Sequence, residues 1–487
     1  MKKVVAVLIG ACLAVLVGVV CVKTLRAGSR QMHVEPVAGV AVDEIAAAER
    51  LAGAVRYRTI SHEDPADFDG EEFVRFHEYL AQTFPNVHSN LERETVSGYS
   101  LLYRWPGSDT SLAPVILTAH IDVVPVEPGT EDDWTYGAFE GLIEEGYVWG
   151  RGSMDDKGML LGLLESVELM LGQGAEPRRT VYLAFGHDEE VGGPNGAVQI
   201  AALLASRGID AEYVLDEGGA VADGLVPGVP GAVALVGIAE KGFLSLELAV
   251  DMQGGHSSMP PAETAIGVLS AAVQRVERRQ MPLGIKGGVA AMFDYLGPEM
   301  PFAQRAFLAN RWLFSGLIER LFARSAEGNA MLRTTTAPTI FQAGMKANVL
   351  PSSARAVVNF RILPGDSVAD VIDHARRAVD DPRVDIRTVG AVSEPSPVSD
   401  VESESFLVLS RTIREIFPGA IVAPWVLVGG SDARHYAGVS RNVLRFGGAR
   451  VGAEDIGRVH GTDERVSVGA HAQAIRFFVQ LLLNSVM

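Results

Sequence analysis

The sequence predicts an α/β protein: a mostly parallel sheet flanked by helices, interrupted by an inserted α+β unit and preceded by an N-terminal transmembrane helix. Three observations carry this. Apolar β-branched runs alternate with helical stretches along most of the chain, as a parallel sheet with crossover helices requires. Near Gly237 the pattern changes to apolar/polar alternation, as in an antiparallel strand with one wet face. With 487 residues, the chain is also too long for one ordinary core.

In order, Pro114–Val124 is a β-branched apolar run of the buried-strand type, and Lys157–Gln173 is helical and apolar. Arg179–Phe185, Glu212–Leu215 and Asn442–Phe446 read as further strands of the same sheet. Within the insertion, Phe243–Val250 sets Leu244, Leu246 and Leu248 against Ser245 and Glu247. Ala262–Arg279 reads as a helix, Ala354–Ile362 as a strand, Val368–Val379 as a helix and Val384–Val389 as a strand. Met300–Leu332 adds a long apolar helical stretch. The boundaries that follow are 1–24 for the membrane segment, 25–45 for a linker, 46–239 and 395–487 for the two parts of the sheet unit, and 240–394 for the insertion.

Lys2 and Lys3 precede an uncharged run from Val4 to Val22, 19 residues, where a span needs about 20. The run is longer than a signal-peptide core and no clean small-x-small cleavage site follows. An uncleaved anchor with the body outside is therefore favoured, and secretion after signal cleavage is the alternative. Acidic residues number 60 against 42 Lys plus Arg, a formal charge of −18, so the basic footprint of a nucleic-acid binder is absent. Both cysteines, Cys12 and Cys21, lie in the apolar run, which leaves only His, Asp and Glu as metal ligands in the body.

Five segments concentrate chemistry where strands end, the place where open parallel sheets build sites. They are His120-Ile121-Asp122, Gly150 to Gly158 with adjacent Asp155 and Asp156, His187-Asp188-Glu189-Glu190, Asp216-Glu217-Gly218-Gly219, and His460 to Glu464. Each has an ordinary alternative: a satisfied buried histidine, a helix N-cap, a solvated acidic loop. Together, two histidines and several carboxylates at successive strand ends suit two divalent ions bridged by a carboxylate. One imidazole per ion with hard oxygen ligands suits zinc, with cobalt or manganese as substitutes.

These motifs resemble the M20 (aminoacylase-1/carboxypeptidase) family of metallopeptidases from about residue 50 onward. Asn329-Ala330-Met331, Arg333 to Thr336 and Asn348 to Pro351 resemble in particular the branch of carboxypeptidase S and the secreted N-acyl-amino-acid hydrolase/synthases. The resemblance implies a ferredoxin-like lid domain for the insertion, a homodimer through it, and a cis bond between Asp155 and Asp156. It implies Asp155 as the bridge, His120 and Asp216 on one zinc ion, Glu190 and His460 on the other. Asp122 would orient His120, Glu189 would be the general base toward metal-activated water, and His256 would stabilise the oxyanion. Arg361 would grip a substrate carboxylate, with Asn348, Gly430 and Ser431 as further contacts. The implied reaction is hydrolysis of an amide bond beside a free carboxylate, in a short peptide or an N-acyl amino acid. The rival reading is a membrane-tethered binding module that kept the fold without the chemistry, which the full set of ligands and Glu189 argue against.

Overall fold

The computed structural model covers residues 1–487. Its centre is a ten-stranded sheet. Val181–Gly186, Val115–His120, Tyr213–Asp216 and Val443–Arg445 lie side by side and parallel. Val115–His120 and Val181–Gly186 are buried along their whole length, which is why they read as unbroken apolar runs. The sheet is mixed rather than mostly parallel: Ser100–Trp105 and Glu92–Val96 extend one side antiparallel, and Ala232–Glu240 pairs antiparallel with Val443–Arg445. Only Glu92–Val96 is a polar, exposed edge strand; Ser100–Trp105 and Ala232–Glu240 are apolar and largely buried, and an apolar run does not state its pairing direction.

The predicted run Pro114–Val124 is a strand only to His120. Its neighbour ends there too, at Gly186, and Ile121 N–H donates to the Gly186 carbonyl at 2.7 Å as the chain turns away. The helices Lys157–Gly172 and Val468–Ser485 pack together on one face.

The second sheet is small and antiparallel. Its order, Thr335–Ala343, Ser353–Ile362, Gly242–Asp251, Val384–Ser393, with the helices Ala265–Arg278 and Val368–Val379 between strands, is that of a βαββαβ ferredoxin-like unit. Leu244, Leu246 and Leu248 are buried against these helices in a separate core of 20 residues.

Two parts of the chain lie elsewhere than their sequence boundaries imply. Residues 287–332 fall inside the range 240–394, yet Val289, Met292, Phe293, Leu308 and Ile318 bury themselves in the large core, since Gly287–Leu296 packs along the strand Ile421–Leu427. Residues 25–45 contain little regular structure but are not a free linker. Gln31 exchanges two hydrogen bonds with the Val422 backbone at 2.8 and 2.9 Å, and Val37 N–H donates to the Glu415 carbonyl at 3.1 Å. The first helix, Lys2–Arg26, is apolar and exposed until its last turns.

Candidate active site

Four segments meet at Asp155: two follow the parallel strands Val115–His120 and Val181–Gly186, and two, carrying Asp155 and His460, flank the antiparallel pair Tyr147–Trp149 and Arg465–Ser467. Oδ1 of Asp155 lies 2.9 Å from Nε2 of His120, and Oδ2 lies 3.0 Å from Nε2 of His460. Nε2 of His460 is also 3.2 Å from Oε2 of Glu190. His120, Asp155 and Glu190 offer donor atoms within 4.8 Å of one another. Tetrahedral donors on one ion, each at about 2.0–2.2 Å from it, stand about 3.5 Å apart, so atoms this close need only small adjustments to hold metal. The bond between Asp155 and Asp156 is cis, as the motif resemblance implies.

The supporting contacts are specific. Nδ1 of His120 faces the Asp122 carbonyl at 3.0 Å and Oδ1 of Asp122 at 3.3 Å, which orients the ring with Nε2 toward Asp155. Asp122 also accepts from Ser61 Oγ at 2.7 Å and from the amides of Glu189 and Glu190, both at 3.1 Å. One carboxylate thus aligns the histidine and the acidic loop together. A buried ion pair ties the other two loops: Arg151 Nη1 donates to Glu464 Oε2 at 2.6 Å and Nη2 donates to the carbonyls of His460 and Gly461, while Glu464 Oε1 accepts from the amides of Gly152, Met154 and Asp155. His460 itself sits at φ +61°, a left-handed conformation costly for a side chain and held by these contacts.

Electrostatics ask for cations here. Burial, then the charges of neighbouring carboxylates, pushes Glu189 up to about 8, and raises Glu217 well above the usual range through burial, Asp155, Asp216 and Asp156. Asp432 rises well above its usual range too, through burial and then Glu189 and Asp216; both its carboxylate oxygens are buried without a partner. Burial lowers the proton affinity of His120, but Asp122 and Asp155 outweigh it and raise it well above 6.5. Oε1 of Glu190 is likewise buried with no partner. Orphaned carboxylate oxygens in a dense anionic cluster fit a divalent-metal centre.

Not every predicted residue joins the cluster. Asp216 is fully buried, with one oxygen accepting from the Thr118 hydroxyl and the other from the Ala433 amide at 2.6 Å. Its neighbour Glu217 instead lines a cavity together with Asp155 and Asp156. Ser431 is buried, its hydroxyl donating to Glu240 Oε2 at 2.8 Å beside Arg445, and so serves the structure beneath the site. Gly430 lies against the Arg434 guanidinium. His256 and Asn348 are exposed on the small unit; Nδ1 of His256 accepts from Ser258, 3.1 Å from its amide, and makes no contact with the Asp155 cluster. Arg361 stands 4.8 Å over the Phe243 ring. Two cations were missed: Lys241, lowered to about 7 by burial and then Arg361, and Arg434, whose charge with burial lowers Arg361. Neither belongs to a motif.

A cavity of about 350 Å³ opens beside Asp155, Asp156 and Glu217. Its walls are mostly apolar, including Met159, Leu235, Trp425, Leu427, Ala449 and Val466, and His471 lies among them, fully buried and lowered to about 4 by burial. The apolar stretch 302–322 does not contribute to it.

The model of peptidase family M20/M25/M40 matches residues 116–484. The chain is 42% identical to a probable carboxypeptidase S-like 2 of Dictyostelium discoideum, over 95% of this chain and 90% of that one. It is 42% identical to the N-fatty-acyl-amino acid synthase/hydrolase PM20D1 of Xenopus tropicalis, over 90% and 85%. Among solved structures, an M20 family metallo-carboxypeptidase from Sulfolobus solfataricus superposes with a TM-score of 0.65 at 18% identity, covering 91% of this chain and 99% of that one.

Proposed function

The chain belongs to peptidase family M20/M25/M40, an enzyme family whose relatives here are carboxypeptidase S-like proteins and N-fatty-acyl-amino acid synthase/hydrolases, and on that premise we propose that it hydrolyses the amide bond of long-chain N-acyl amino acids with a free carboxylate. The observation that carries this is the apolar 350 Å³ cavity opening directly on Asp155 and Glu217, in a place where a short polar dipeptide would leave it unfilled.

Two divalent ions, zinc by ligand type, supply Lewis acidity for the scissile carbonyl and for water when bound. Asp155 would hold both. His460 and Glu190 would complete one and His120 the other, with Glu217 in the place first assigned to Asp216, because the Asp216 oxygens are already engaged. Glu189, held by Asp122 through its amide, takes the proton of the attacking water and passes it to the leaving nitrogen. A carboxyl pushed up to about 8, toward neutral pH, suits that shuttle. Arg361, with Lys241 and Arg434 close by, holds the substrate carboxylate. The ferredoxin-like unit acts as a lid that brings Arg361 over the site, and His256 reaches an oxyanion from the partner of a homodimer formed through it. The first helix is retained as a signal anchor with the body outside the cytoplasm.

The test is turnover of the zinc-loaded enzyme on oleoyl, octanoyl and acetyl derivatives of one amino acid beside matched dipeptides. A kcat/KM that is flat or falls with chain length overturns the acyl reading and leaves a carboxypeptidase.

A further inference from the structure

The apolar stretch 302–322 lines no part of the cavity beside Asp155 and sends only Leu308 and Ile318 fully into the large core. Phe302, Phe307, Trp312, Leu313, Leu317 and Leu321 are each 38–54% exposed, on the helices Phe302–Ala309 and Arg311–Phe322. Single exposed apolar residues are ordinary, but six in two successive helices call for an explanation.

Their position supplies one. The first helix docks on these helices by its last turns only. Thr24 and Asn310 are both fully buried, with Asn310 Nδ2 donating to Thr24 Oγ1 at 3.1 Å. Arg305 donates to the Ala27 carbonyl at 3.1 Å, and the Lys23 ammonium lies 5.2 Å from the centre of the Trp312 ring. Leu16, Val20 and Cys21 are half-buried in this contact, while residues 2–15 are exposed. A hydrocarbon core of about 30 Å takes about 20 helical residues. Between Lys3 and Lys23 there are 19 residues, 4 through 22, all uncharged, so none can be spared. Residues 16–22 therefore lie within the bilayer and at the same time touch the helix Phe302–Ala309. That helix cannot then be far from the lipid.

We infer that the helices 302–309 and 311–322 form an interfacial surface lying in the outer face of the same bilayer that the first helix spans. The inference rests on the reading of that helix as a retained anchor. The charges agree with it. Lys23, Arg26 and Arg311 rim the recess beside Trp312, with Asp294 already paired to Arg311 at 2.6 Å, which leaves positive charge facing anionic headgroups. Trp at this level with basic residues around it is the composition of a membrane-interface helix. With Gln31 and Val37 also clamped to the body, the enzyme sits directly on the membrane instead of swinging from a tether.

The experiment uses the full chain reconstituted in phosphatidylcholine/phosphatidylglycerol vesicles. Trp312 is one of five tryptophans, so its emission is taken as the difference between the wild type and Trp312→Phe. Lipids brominated at acyl carbons 6 and 7 are expected to quench that difference at least twofold, and lipids brominated at carbons 11 and 12 to quench it less. If the protein resists alkaline carbonate but the Trp312 emission is unquenched by either lipid, the interfacial surface is refuted, and the face is turned to water or to a second copy. If carbonate releases the protein, the anchor reading itself falls and takes this surface with it.

Discussion

Replacing Ala449 with phenylalanine tests whether the cavity receives an acyl chain. Ala449 is half-buried on the cavity wall and is not itself assigned to metal or base. At about 30 Å³ per water-sized group, 350 Å³ accommodates about twelve methylenes. Six ring carbons at position 449 take about four of those places. Each methylene denied burial forfeits about 0.8 kcal/mol, or about 3 kcal/mol for four. That amounts to a loss of about 200-fold in kcat/KM for an oleoyl amino acid. An acetyl amino acid does not reach the wall and should keep its kcat/KM within about twofold. The assay is steady-state hydrolysis of acetyl, octanoyl and oleoyl derivatives by both enzymes, with zinc content measured in parallel. If the acetyl and oleoyl values fall by the same factor at equal zinc content, the cavity is not the acyl site.

The remaining predictions probe the metal cluster and its supports. Glu189→Gln should retain both ions and lose turnover by about 10²-fold or more, since a general base contributes about 10²–10⁴; near-normal turnover would remove Glu189 from that role. Glu217→Gln should lower the bound metal by about one ion per chain, while Asp216→Asn should keep the metal and lower the melting temperature; elemental analysis with calorimetry separates the two, and the reverse pattern would restore Asp216 as ligand. Glu464→Gln leaves Arg151 as a buried charge without a counter-charge, at a cost of about 3–5 kcal/mol by denaturant unfolding. A loss under about 1 kcal/mol would show that the two loops hold together without it. His471 binds its proton at about 4 when folded and near 6.5 when unfolded. The unfolded chain therefore protonates first, and stability falls as pH drops through that window, by about 2 kcal/mol at pH 5. His471→Leu should flatten the decline in melting temperature between pH 7 and pH 5, and an unchanged slope would contradict the assignment.

The parts of the fold that read clearly from sequence are those where one physical demand dominates. Val115–His120 and Val181–Gly186 must be apolar throughout because both faces are covered, and Gly242–Asp251 alternates because one face is wet. The acidic segments stand out because charges directly after a buried strand require an explanation. What sequence leaves unread is direction. Asp216 and Glu217 are adjacent and equally acidic, and only the packing of Thr118 and the Ala433 amide decides which carboxylate turns inward. Ser431 sits in a glycine-rich loop that looks exposed, yet it supports a buried Glu240–Arg445 pair. Lys241 and Arg434 approach Arg361 from a strand end 120 residues before it and from a short helical turn 73 residues after it, a proximity that no local pattern encodes. The helices after residue 287 are apolar in a way that serves the large core and the outside equally, so their partner is undetermined until they pack.

The Arg151–Glu464 pair has a consequence for how the protein is made. The cluster draws on His120 at one extreme and His460 at the other, and the strand Arg465–Ser467 must pair with Tyr147–Trp149 to bring Glu464 beneath the Gly152–Asp155 amides. At about 5–20 residues per second, the ribosome exposes the first ligand about 17–70 s before the last. Throughout that interval the nascent chain carries His120, Asp155, Glu189 and Glu190 in an incomplete arrangement, anionic and open to any passing cation. The cluster is thus completed late in the life of the chain, and a chain cut short before residue 460 has most of the core but no means of completing it.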